Sequence, residues 1–302
     1  MALPVTVVIP TYNRAELLRS ALESTRAQRP EPPAEVIVVD DHSTEDVRST
    51  AEAYSARVIR HGVNRGETHA DNTGIREATQ PWIAFLDSDD EWLPGCLESL
   101  WRGRGDHVLV SGKSVAIGTG PSAGRVGLPA SDNPFVLDSP ADVVFPENLV
   151  AASGVIVRRD VMVEAGCFDT RLKDAVDLDL WLRVLERGTG VILPDVVVRY
   201  RLHAGQATAN RARTMEKHEA ILLSYRDRPW WTPQLVDSWR AVMHWDDIRS
   251  GIRDRDPAAV RQSAAWLASH PHQWPKLGRL MTERRKQRRL SAPRGASSAP
   301  GL

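Results

Sequence analysis

The sequence predicts an α/β fold: a mostly parallel, Rossmann-like sheet flanked by helices, with a C-terminal helical appendage. Three observations predict it. Short β-branched runs alternate with segments of helical periodicity, and the crossovers are too long for hairpins, so the strands join as right-handed βαβ units. Polar residues cluster where the strands stop. From Ala207 onward no strand pattern recurs.

The elements follow in order. Val5 to Ile9 is a β-branched run stopped by Pro10, a strand. Arg14 to Arg26 carries Leu17, Leu18, Ala21 and Leu22 at helical spacing. Glu35 to Val39 is the second strand, ending in Asp40-Asp41-His42-Ser43, with a helix expected from about Thr44. Arg57 to Arg60 is a third strand, Asn64-Arg65-Gly66 a turn, and Glu67 to Ala78 a helix. Trp82 to Leu86 is apolar without alternation, as in a strand buried on both faces, and it runs directly into Asp87-Ser88-Asp89-Asp90.

Val108 to Val115 returns to strand character, and Gly118 to Pro134 reads as a long Gly/Pro/Ser/Ala loop. Ser153 to Arg158 is a strand, Val161 to Ala165 a short helix, and Asp174 to Arg183 a helix with acids in its first turn. Val196 to His203 is the last strand. Met215–Tyr225, Pro233–Arg249, Pro257–Ser269 and Trp274–Leu290 read as helices separated by Pro-containing turns. Six of the ten tryptophans fall in this region, which favours aromatic core packing there. The expected organisation is 1–110 and 111–206 as two halves of one α/β domain, 207–290 helical, and 291–302 disordered.

Composition excludes several classes. Lys plus Arg equals Asp plus Glu at 39 each, so charge gives no reason to expect a nucleic-acid partner. Cys96 and Cys167 are too far apart for a metal-ligand spacing and suit buried thiols in a reducing compartment. The first ten residues read as a strand and not as a signal peptide, and no apolar run reaches the length of about 18 residues that a membrane span needs. A soluble, cytoplasmic protein is expected. The basic run Arg284, Arg285, Lys286, Arg288, Arg289 adds an expectation of weak peripheral contact with the inner membrane face.

The chemistry concentrates at three strand ends, Thr11-Tyr12-Asn13, Asp40-Asp41 and Asp87-Asp89. In open α/β sheets ligands bind beyond the carboxyl ends of the strands. Like charges at Asp87 and Asp89 call for a cation or a proton between them, and a hard ion such as Mg²⁺ or Mn²⁺ prefers carboxylate oxygens and substrate phosphates. Neither Gly-x-Gly-x-x-Gly after the first strand nor a P-loop motif is present, which disfavours dinucleotide and P-loop chemistry.

Val-Ile-Pro-Thr-Tyr-Asn-Arg, Val-Ile-Val-Val-Asp-Asp-His-Ser-Thr, Asn-Arg-Gly and Ala-Phe-Leu-Asp-Ser-Asp-Asp-Glu-Trp-Leu-Pro, in that order, closely resemble the family 2 glycosyltransferases of GT-A fold. The resemblance implies an inverting enzyme that uses a nucleotide-diphosphate sugar, a UDP-sugar by default, and a divalent cation, Mn²⁺ or Mg²⁺. It places Pro10, Thr11 and Tyr12 around the base, Asp41 facing it with Asp40 beside, and Arg14, Arg65, Gly66, Asn72 and Ser88 among the donor contacts. Asp89 would be the direct metal ligand, with Asp87 nearer the ribose. Gly166-Cys167-Phe168-Asp169 matches a structural Gly-x-Phe-Asp turn, and Asp177 falls on the Asp that serves as general base, leaving Asp179 as a structural partner for an Arg. His203, closing the Tyr-Arg-x-His strand, would complete the metal site. Two positions depart from the pattern: Asp71 stands where many relatives carry Arg, and Val176 where they carry an acid. Asp71 is then either a solvated helix residue or a determinant of donor choice. The acceptor could be a glycan, a lipid-linked glycan or a small molecule. Alternatives are a nucleotidylyltransferase, disfavoured by the lack of a Gly-rich basic loop after the first strand, and a non-catalytic nucleotide-sugar binder.

Overall fold

The computed structural model describes residues 1–118, 132–144, 149–173, 175–202, 211–275, 277, 278 and 282. Nine described strands form one sheet: β1 (Leu3–Thr11), β2 (Pro33–Asp40), β3 (Arg57–Arg60), β4 (Trp82–Phe85), β5 (Glu91–Trp92), β6 (Leu109–Gly118), β7 (Phe135–Leu137), β8 (Val155–Arg158) and β9 (Gly190–Leu202). Their order is β3-β2-β1-β4-β8-β6-β9-β5, with β7 on β9. The first four strands pair parallel. Beyond β4 the sheet becomes mixed, because β8 lies antiparallel to both β4 and β6 while β6 and β9 run parallel. The expected parallel sheet is thus a property of the N-terminal half.

The chain passes from β1 outward to β2 and β3, then returns to place β4 on the other side of β1. Strand order therefore reverses between β1 and β4, the switch point beyond which open α/β sheets bind their ligands. Thr11 ends β1 and Leu86-Asp87 follow β4, one on each side of it. Val5, Val7, Val8, Ile9, Ile83, Ala84 and Leu86 are all fully buried, which explains the unbroken apolar runs.

Ten helices are described. Packing one face of the sheet are α1 (Ala15–Arg26), α2 (Val47–Glu52) and α4 (Cys96–Gly103), which share a core with Leu18, Leu22, Val47, Leu97 and Leu100. On the other face lie α3 (Glu67–Glu77), α5 (Ala141–Val144), α6 (Arg159–Glu164), α7 (Val176–Leu185), α8 (Arg211–Ser224), α9 (Pro233–Asp254) and α10 (Pro257–Ser269). The C-terminal helices are less separate than an appendage. Leu222, Tyr225, Val236, Trp239 and Val242 belong to the same core as Phe85, Leu180 and Trp181. Trp239 is buried there, whereas Trp274 stays 56% exposed. Pro at the first helical position and capping by Thr232 and Asp256 set the starts of α9 and α10.

Three motifs far apart in sequence meet in that core. Phe85 of β4 packs edge-on against Phe168 at 5.5 Å between centroids, and Trp181 of α7 lies 6.4 Å from both. Asn72 of α3 closes the arrangement, donating to the Phe168 carbonyl at 2.8 Å and accepting from its amide at 2.9 Å. Cys96 and Cys167 are free thiols, the first buried and the second half-buried.

Candidate functional site

The crevice is built from loops tied to one another across strand ends. After β1, Asn13 adopts φ 52°, and its side-chain oxygen accepts from the Thr44 amide at 2.7 Å while its own amide donates to Ser43 Oγ at 2.9 Å. Pro10 and Thr11 are buried beneath, and Tyr12 stands 47% exposed at the rim. After β2, the two carboxylates have separate tasks. Asp40 accepts from the Ser43 amide at 2.8 Å and pairs with Arg60. Asp41 accepts from the backbone amides of Arg65 and Gly66 at 2.9 and 2.7 Å, with His61 Nδ1 at 2.7 Å. Gly66 takes φ 90° just before α3, a conformation that glycine adopts without strain. Asp41 thereby fixes the start of α3.

Beyond β4 the acids diverge. Asp89 pairs with Arg14 at 2.8 Å, which joins the start of α1 to the crevice. Ser88 is buried. Asp87 donates its amide to Ser153 Oγ at 3.1 Å, and its carboxyl is held well above the usual range, first by burial and then by Glu67, Asp90, Asp89 and Asp71. Asp90 is a clamp: it accepts from Ser153 Oγ at 2.6 Å and from the Arg201 amide at 2.9 Å, so β4, β8 and β9 converge on one carboxylate.

α3 turns Glu67 and Asp71, one turn apart, toward this group. Glu67 keeps an exposed side, and its carboxyl is pushed up by desolvation within this acidic group and by the charges of Asp89 and Asp177, partly offset by Arg14. Asp71 is buried, 8% exposed, with its carboxyl raised well above the ordinary range by burial and by Glu67. That overturns the solvated reading of Asp71. Opposite stands α7, entered through Ala175 at φ 56°. Asp177 is half-buried and close enough to act on both Glu67 and His218 of α8. Asp179 points elsewhere: it pairs with Arg183 at 2.6 Å and accepts from the Tyr225 hydroxyl at 2.8 Å, the structural role expected of it. Arg183 in turn donates to the carbonyls of Ala165 and Cys167, pinning the Gly-Cys-Phe-Asp turn.

Asp87, Asp89 and Asp177 are therefore brought to one crevice. Asn72 is committed to Phe168, and Arg65 lines a neighbouring cleft. His203 and the basic run from Arg284 to Arg289 lie outside the described residues, as does the centre of the loop expected between Gly118 and Pro134. Sequence reasoning missed Glu67, Ser153 and Arg201. A Glu in the first helical turn reads as dipole compensation, and nothing local marks the other two.

A mixed sheet, parallel in its N-terminal half and carrying strand-end acids at its switch point, is the GT-A type of α/β fold. Residues 6–129 match the model of "Glycosyl transferase family 2". A Mycobacterium tuberculosis protein named pre-mycofactocin glycosyltransferase is 31% identical over 251 residues, 80% of this chain and 52% of the relative, so the chain spans about half of that protein. The S. aureus TarS 1–349 structure in complex with UDP-GlcNAc superposes with TM-score 0.63 at 18% identity, covering 89% of this chain and 79% of that one. The mannosyltransferase PcManGT of Pyrobaculum calidifontis, in complex with GDP-Man and Mn²⁺, gives TM-score 0.62 at 20% identity over 90% and 76%. Over residues 6–129, the segment that carries the strand-end acids, the chain is similar to the family 2 glycosyltransferases.

Proposed function

We propose that the chain transfers a sugar, with inversion, from a nucleotide-diphosphate sugar to an acceptor hydroxyl. A UDP-sugar is the default donor; UDP-GlcNAc and GDP-Man in the two structural neighbours support a nucleotide sugar of either kind. The observation that carries the reading is the meeting, at the switch point, of strand-end carboxylates with Asp177 on the facing helix.

The residues present suit a divalent ion. Asp87 and Asp89 offer hard oxygens, and the raised carboxyls around them mark a site short of positive charge. Asp87 and Asp89 would hold the ion, with oxygens of the donor diphosphate alongside them. When bound, Mn²⁺ or Mg²⁺ supplies Lewis-acid stabilisation of the departing diphosphate. Tyr12 at the rim lies against the base, with Thr11 and the Asp41-held loop forming the pocket behind it. Arg14 releases Asp89 and turns to the phosphates. Asp71, buried in the crevice wall with its carboxyl raised by burial and by Glu67, biases donor choice. Asp177 accepts the proton of the acceptor hydroxyl as that oxygen attacks the anomeric carbon, and single displacement inverts the linkage. No helix among the described residues is long and apolar enough to cross a membrane. A cytoplasmic site, with peripheral membrane contact through the basic C-terminal run, remains part of the proposal.

Hydrolysis and transfer assays with UDP-glucose, UDP-GlcNAc and GDP-mannose in Mn²⁺ test this. Asp177→Asn should lose roughly 10²–10⁴-fold in turnover, as general-base removal does, with nucleotide affinity intact. Wild-type protein that binds nucleotide but turns over none of these donors would favour the non-catalytic binder.

A further inference from the structure

The two acids at the end of β2 are each met by a side chain from the end of β3. The parallel register sets Asp40 beside Arg60, and the residues that follow, Asp41 and His61, come together in the same way. Arg60 pairs with Asp40, and His61 Nδ1 lies 2.7 Å from Asp41 Oδ1. The other ring nitrogen, Nε2, lies 3.0 Å from Thr73 Oγ1 in the middle of α3. This second pair is nearly out of water, the His61 side chain 9% and that of Asp41 4% exposed.

Asp41 is held from three sides. Oδ1 takes the Arg65 amide at 2.9 Å as well as the imidazole, and Oδ2 takes the Gly66 amide at 2.7 Å. Backbone amides can only donate, so the carboxylate is the acceptor throughout, and Nδ1 carries the hydrogen that it shares with Asp41. The amides belong to a turn that passes through Gly66 at φ 90°, and they move with the carboxylate they bind. The imidazole is different, because it is fastened to Asp41 on one side and to α3 on the other. A buried carboxylate that loses such a donor is left short of a partner. Here it would settle elsewhere and take Arg65 and Gly66 with it.

We propose that His61 is a positioning residue for donor binding: its Nδ1–H holds Asp41, and through it the wall behind the nucleotide base, in the shape that takes the nucleotide. The proposal rests on the reading of the switch-point crevice as the donor site. Two amide replacements separate it from a packing role. The side-chain nitrogen of Asn falls near the imidazole Nδ1 and that of Gln near Nε2. His61→Asn therefore keeps the donor to Asp41, whereas His61→Gln keeps only the reach to Thr73. Calorimetric titration of UDP and of GDP, each with Mn²⁺, into wild type and both variants reads affinity, and the stoichiometry reports the folded fraction separately. For the nucleotide that wild type binds more tightly, His61→Gln should lose about tenfold or more, as expected for one hydrogen bond to a charged group. His61→Asn should stay within about threefold of wild type, and both should keep its stoichiometry. Wild-type affinity in His61→Gln, a loss in His61→Asn as large as that in His61→Gln, or a fall in stoichiometry in place of affinity overturns the proposal and leaves the donor site standing. Binding of neither nucleotide to wild-type protein overturns the donor site, and this role of His61 with it.

Discussion

Replacing Asp179 by Asn separates structure from chemistry on α7. The carboxylate takes two hydrogen bonds from Arg183, at 3.0 and 2.6 Å, and one from Tyr225 at 2.8 Å. Its side chain is 11% exposed and that of Arg183 18%, so solvent offers little compensation. Arg183 continues to the carbonyls of Ala165 and Cys167, making this fork the tie between α7, the Gly-Cys-Phe-Asp turn and α8. Removing one partner of a buried pair costs about 3–5 kcal/mol. Asn retains one acceptor oxygen but turns an amide donor toward donors, so a loss near the lower end, about 3 kcal/mol, is expected. Asp177 lies about 200° around the helix, and Asp177→Asn should change stability by less than about 1 kcal/mol. Urea denaturation followed by circular dichroism reads both, with the slope unchanged if only stability moves. Wild-type stability in Asp179→Asn together with a 3 kcal/mol loss in Asp177→Asn would refute the division of roles.

Asp90 gives a pH signature. Burial, opposed by its bonds from Ser153 and Arg201, pushes its carboxyl from 3.8 to about 6. The folded state then binds more protons between those values, so the stability from Asp90 is present below about pH 4 and lost as pH rises through about 6. The interval corresponds to on the order of 3 kcal/mol, and Asp90→Asn should flatten the wild-type fall across it by up to that amount; identical slopes in urea titrations would exclude this. Gly74 is the contact point of α3 on β1: a Cβ there would meet Val8 Cγ1 at 2.2 Å. Gly74→Ala should therefore cost about 1–3 kcal/mol through overpacking, and an unchanged melting temperature would show that α3 is free to shift. Asp71→Asn should fold normally yet alter the ratio of UDP- to GDP-sugar turnover, and an unaltered ratio would detach Asp71 from donor choice.

Much of this was legible from the sequence. β3 and α10 fall on the residues that patterning indicates, and β1, α1 and β4 within two at either end, because β-branched runs, Pro stops and capping residues act locally. The helix expected from Thr44 starts instead at Val47, where Asp46 caps it. The two-residue β5 and the eight-residue α4 were not anticipated: the first has no periodicity to show, and the second places Cys96, Leu97 and Leu100 inward over too short a span to stand out. Antiparallel placement of β8 between β4 and β6 is a long-range choice that no local pattern encodes. The site divides similarly. The helical angle between Asp177 and Asp179 is readable from spacing alone. The tie between Asn72 and Phe168 spans 96 residues, and that between Asp90 and Arg201 spans 111, so neither leaves a local mark.

The central claim is that the switch-point crevice binds a nucleotide diphosphate through a divalent ion held at Asp89. Calorimetric titration of UDP and GDP into wild-type and Asp89→Ala protein, with Mn²⁺ and with excess chelator, measures it directly. The account predicts that one nucleotide binds wild-type protein at least about tenfold more tightly with Mn²⁺, about 1.4 kcal/mol, and that Asp89→Ala abolishes the difference while remaining folded. Equal affinity with Mn²⁺ and with chelator, or a Mn²⁺ effect that survives Asp89→Ala, would contradict it.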